Sequence, residues 1–114
     1  MDIDVFPRDE QAQVFRALRS ALAPSGALAP DERQFLDTLA LITGHELDAA
    51  DPPPIDARAV AIARPHARKR LVQLAALAVL LGRPVKADSF AFLDALARHL
   101  ATHDPVIDLI RALM

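Results

Sequence analysis

The chain has 114 residues and a formal net charge of −2, with no cysteine, tryptophan, tyrosine or asparagine and only three glycines. That inventory excludes thiolate chemistry, cysteine zinc sites, disulfides and glycine-rich phosphate loops, and no GxGxxG, GxxxxGK or GxSxG pattern occurs. Alanine and leucine fill 40 positions against 16 for valine, isoleucine and threonine, so the composition predicts an all-α fold, and the length suits a single domain over 1–114.

Nine prolines punctuate the pattern, because proline is tolerated in a helix's first turn and breaks its interior. Pro7 opens a first helix over 7–23 whose Val14, Phe15, Leu18, Ala21 and Leu22 share one face, and Pro24 and Gly26 stop it. Pro30 opens the second, with Asp31 and Glu32 at the positive end of the macrodipole, Phe35, Leu36, Leu39 and Ile42 facing inward and Gly44 as C-cap. A connector over 45–56 holds Pro52, Pro53 and Pro54, and Asp56 reads as the N-cap of a short helix over 57–63. Pro65 starts a central helix, 65–81, apolar on nearly every side from Leu71 to Leu81 and stopped by Gly82. Asp88 or Ser89 caps the next helix, which turns Phe90, Leu93, Leu96, Ala97 and Leu100 inward and carries His99 and His103. Asp104 and Pro105 open the last, with a stripe of Val106, Leu109, Ile110 and Leu113. The expected architecture is a compact bundle of five principal helices plus one or two short ones. No membrane span is expected, since the longest apolar run is well short of the ~20 residues a spanning helix needs. The acidic start, Met1-Asp2-Ile3-Asp4, is unlike a signal peptide and predicts a cytoplasmic protein.

Phe35-Leu36-Asp37-Thr38-Leu39-Ala40 recurs as Phe92-Leu93-Asp94-Ala95-Leu96-Ala97 at an offset of 57. Two pseudo-repeated helical hairpins follow, over about 10–44 and 65–103. Asp37 and Asp94 occupy matched positions, but no cleft is implied between them, and no serine sits in an activating context. The chain is read as a non-enzyme.

Charge is unevenly spread: residues 1–57 carry −7 and 58–114 carry +5. A nucleic-acid binder would be basic as a whole, so nucleic acid is not the expected partner. Arg58, Arg64, His66, Arg68, Lys69 and Arg70 cluster around the start of the central helix, where cations oppose the macrodipole. Free helix N–H groups with arginine forks could take a phosphate or carboxylate there, or a partner's acids; the alternative is a solvated face paired with the acidic connector. His99 and His103, at i and i+4, would share one helix face as zinc helices require, but a third ligand is lacking and exposed histidines are the simpler reading.

The run Gly26-Ala27-Leu28-Ala29-Pro30-Asp31-Glu32 leading into the Phe35–Ala40 helix, and Leu74–Leu81, Gly82-Arg83-Pro84-Val85 leading into Phe92–Leu100, resemble the two halves of a TerB-like domain of the tellurite-resistance TerB family. The resemblance covers roughly residues 10–113 and implies an all-helical domain with pseudo-twofold character, found in stress-response systems as an interaction or metal-sensing unit. It also implies cation-binding acids in the two loops. Here the usual Asp-Gly pairs are Ser25-Gly26 and Gly82-Arg83; Glu32 matches the acid after the first loop, and Ser89 stands where its counterpart would be. Asp31, Glu32 and Asp88 remain as oxygen ligands for a divalent cation, and Arg83 puts a positive charge at the second loop. The expectation is therefore a binding or scaffolding module with no cofactor and a protein partner. The alternatives are an anion-binding regulatory module using Arg64–Arg70 and a small helical metal-binding protein. Exposed apolar residues such as Ile107 beside the terminal stripe are compatible with a homodimer.

Overall fold

The computed structural model describes residues 8–24, 26–43, 53–81 and 85–114. Five α-helices carry them: α1 (Arg8–Leu22), α2 (Pro30–Thr43), α3 (Pro65–Leu81), α4 (Ala87–His99) and α5 (Pro105–Leu113). Proline is the first residue of α2, α3 and α5, where its missing N–H costs nothing. The fold is all-α, with no strand among the described residues. The stops expected at Gly44 and Gly82, the opening at Pro7, Ser25, Arg83 and most of the 45–56 connector lie outside the described residues.

The two hairpins repeat in register. α1 and α2 begin at 8 and 30, α3 and α4 at 65 and 87, the same offset of 57 that relates the two sequence copies. Burial repeats as well: Leu36, Leu39 and Ala40 are buried on α2, and so are Leu93, Leu96 and Ala97 on α4. α3 packs against α1, α4 and α5, and its buried Leu71, Val72, Leu74, Ala75, Ala78 and Val79 join Val14, Phe15, Leu18 and Leu22 of α1 in one core. Its apolar girdle is open on one side, where Leu77 and Leu81 are exposed.

Between the hairpins the chain is held by the polar face of α1. The Ile55 N–H donates to Ser20 Oγ (2.9 Å), the Ala61 N–H to Gln13 Oε1 (2.7 Å) and the Ala63 N–H to Glu10 Oε1 (3.3 Å). Arg16 donates to the carbonyls of Pro53 and Pro54. Residues 10, 13, 16 and 20 lie on one face of a helix, so the segment from Ile55 to Ala63 runs back along α1. This overrides the short helix expected over 57–63: a 3₁₀ turn over Ala57–Ala59, capped by Asp56, passes into extended chain. Val60 and Ile62 are buried while Ala61 and Ala63 are exposed, a period of two.

Four other expectations change. α4 begins at Ala87 with Lys86 at the N-cap, so Asp88 and Ser89 lie in its first turn; Asp88 Oδ1 accepts the Ser89 N–H instead of capping the helix. α4 also stops at His99. The Thr102 N–H reaches back to the Ala97 carbonyl (2.9 Å) and the Ala101 N–H to Arg98 (3.1 Å), a Schellman closure with Ala101 at φ 52°. In α5, Ile110 is buried and Val106 packs against the core as expected, but Leu109 and Leu113 are 65% and 76% exposed and Ile107, expected exposed, is buried in their place. The Asp104 cap holds as expected, its Oδ1 accepting the Val106 N–H (3.0 Å). Ile42, expected inward, is 66% exposed at the far end of α2.

Candidate functional site

Polar groups of the two hairpins meet where α1 ends and α2 and α4 begin. Glu32, buried in the first turn of α2, accepts the Ala29 N–H on Oε1 (2.8 Å), the side-chain half of a capping box. Its Oε2 pairs with Lys86 Nζ (3.0 Å), and the same ammonium donates to the Leu22 carbonyl at the end of α1. Ser89, at the position of Glu32 in the second copy, is buried and turns its hydroxyl toward that carbonyl (3.5 Å). Both Glu32 oxygens are thus committed, and Asp31 and Asp88 each accept the N–H of the next residue. Among the described residues no three His, Asp or Glu side chains gather as a metal would require.

His99 and His103 are not brought together as a pair on one helix face. Because α4 ends at His99 and the chain turns through the left-handed Ala101, His103 lies beyond the helix. His103 Nε2 lies 3.3 Å from Asp108 in a cleft of about 370 Å³ between the end of α4 and α5. Every basic side chain lining that cleft faces an acid: Arg98 pairs with Asp94, and Arg111 with both Asp94 and Asp108. Arg111 also lies over the Phe90 ring, 5.4 Å from its centroid. Asp37, the repeat partner of Asp94, is exposed and pairs with Arg33. The two carboxylates therefore serve separate ion pairs.

A second cleft, of about 360 Å³, is lined by Arg58, the chain from Ala59 to Ala63, Arg68, His99 and Leu100. His99 Nε2 is 2.8 Å from the Val60 carbonyl; a carbonyl only accepts, so Nε2 carries hydrogen. Arg68 Nε donates to the Ile62 carbonyl, which fixes its guanidinium at the wall. No acid lines this cleft, and among the described residues no carboxylate pairs with Arg58, Arg64, Arg68 or Lys69. Arg64, His66 and Lys69 do not line it and are exposed. Arg70 turns along α3 to Gln73 Oε1 (3.2 Å), and its Nε is buried without a partner.

Of the six basic residues singled out in the sequence, the fold brings Arg58 and Arg68 into one cleft. It adds His99, which sequence spacing had grouped with His103. The contact between Val60 and His99 joins positions 39 apart, and no local pattern announces it.

Comparison of the chain with family models, curated proteins and solved structures returns no match.

Proposed function

We propose that the chain is a helical binding module without chemistry of its own, and that it takes an anionic group in the cleft between residues 58–63, the first turn of α3 and the end of α4. The contrast between the two clefts carries this reading. Where α4 meets α5 each cation is neutralised by Asp94 or Asp108, whereas Arg58, Arg68 and His99 line a cleft with no acid. Arginine forks held at a cleft wall are well suited to carboxylate or phosphate oxygens.

The TerB-like reading, an interaction unit of a stress-response system, is supported by the hairpins starting in register and by Glu32 and Ser89 meeting at the end of α1. The Lys86 ammonium against Glu32 favours a variant in which a lysine supplies the positive charge between the two loops.

Titration with inorganic phosphate, followed by amide shifts, tests the cleft. Saturable shifts are expected at residues 59–63 and at His99 and Leu100, and they should disappear in Arg58→Ala. Shifts that are linear in phosphate and spread over the whole surface would overturn the reading.

A further inference from the structure

We infer that the group taken by this cleft belongs to an acidic peptide segment of a protein partner, an inference that rests on the anion-cleft reading above. The cations here outnumber what a single small anion can use. Arg58 and Arg68 line the cleft, Arg64 and Lys69 are exposed next in sequence to its lining residues Ala63 and Arg68, and none of the four has a carboxylate partner among the described residues. The extended run 60–64 alone spans about 13 Å at ~3.3 Å per residue. One phosphate or carboxylate in the cleft leaves the exposed Arg64 and Lys69 unused. An extended peptide presents same-side carboxylates every ~7 Å and can address several of these cations at once.

The floor supports a peptide too. Ala59, Ala61 and Ala63 are exposed and put only methyl groups between the cations, so a main chain can lie close. Strand addition is blocked, because the Val60 and Ile62 carbonyls and the Ala61 and Ala63 N–H groups already have partners. Recognition therefore runs through side-chain charge. A nucleic acid fits less well, since the protein carries −2 overall and its 1–57 half is acidic.

Fluorescence anisotropy of the full chain with a labelled hexaglutamate peptide, beside its hexaglutamine counterpart, tests this at low salt. The acidic peptide should bind at least about tenfold tighter, and Arg58→Glu with Lys69→Glu should remove about that factor, in line with a few exposed ion pairs. Both residues are exposed, so the melting temperature should hold, and Arg33→Glu on α2 should leave binding intact. If phosphate shifts the cleft amides but hexaglutamate binds no better than hexaglutamine, the peptide inference falls and the anion cleft stands. If neither ligand responds to the charge reversals, both fall.

Discussion

Replacing Ala101 with glycine should stabilise the protein. Ala101 closes α4 at φ 52°, and that left-handed turn lets the Thr102 N–H bond back to Ala97 and its own N–H to Arg98. A residue with a Cβ gives up about 1–2 kcal/mol in that region, and glycine avoids it. Glycine also loses about 0.5–1 kcal/mol more conformational freedom on folding. Ala101 is exposed, so little packing is lost, and the net gain is about 0.5–1 kcal/mol. With a urea slope of about 1.5 kcal/mol/M, the midpoint should rise by about 0.3–0.7 M, and the melting temperature by about 2–5 °C. Circular dichroism at 222 nm measures both. Ala101→Val, β-branched in the same conformation, should lose about 1 kcal/mol or more. If the glycine variant instead loses stability, as glycine does inside a helix, Ala101 is helical in solution. α4 would then run on toward His103 and return the two histidines to one face.

Two further substitutions probe the contacts that set the hairpins and α5. Lys86→Met leaves the buried Glu32 carboxylate facing the Leu22 carbonyl without its cation; the loss should be about 2 kcal/mol, below the range for fully buried pairs because Lys86 is partly exposed. Adding Glu32→Gln should recover at least half, and a single-mutant loss under about 0.5 kcal/mol in urea melts would show that Lys86 is dispensable there. Asp104→Ala removes the α5 cap and should cost about 1 kcal/mol, with Asp104→Asn near wild type; equal losses in the two variants would mean that the cap does not hold α5.

Much of the helix plan was legible because proline and apolar spacing act locally. Pro30, Pro65 and Pro105 mark helix starts, and Val14, Phe15, Leu18, Ala21 and Leu22 are buried together as their spacing predicts. The failures lie where a distant partner decides. Alanine-rich 57–63 has helical propensity, but Gln13 and Glu10 of α1 take the N–H groups of Ala61 and Ala63 and draw the chain out straight. α5 carries two overlapping apolar stripes that share Ile110, and periodicity alone cannot choose between Leu109 with Leu113 and Ile107 as its companions. Its setting depends on the turn at Ala101 and on Arg111 reaching Asp94 of α4. The candidate site was half visible. Arg58 and Arg68 stood out as neighbours in sequence, whereas His99 joins them through tertiary packing.

The polar attachment of residues 53–63 to α1 uses none of the side chains that line the proposed anion cleft. The polar side chains of α1 bond main-chain atoms only: the N–H groups of Ile55, Ala61 and Ala63 and the carbonyls of Pro53 and Pro54, while Ala57, Val60 and Ile62 anchor the segment in the core. Almost any side chain with a free N–H at Arg58, Ala59, Ala61 or Ala63 would leave those bonds in place, whereas changes at Gln13, Arg16 or Ser20 would remove them. Under the proposed anion reading, preference can be changed at the outward positions while the bonds to α1 stay constant, which makes this stretch a place for grafting a new specificity.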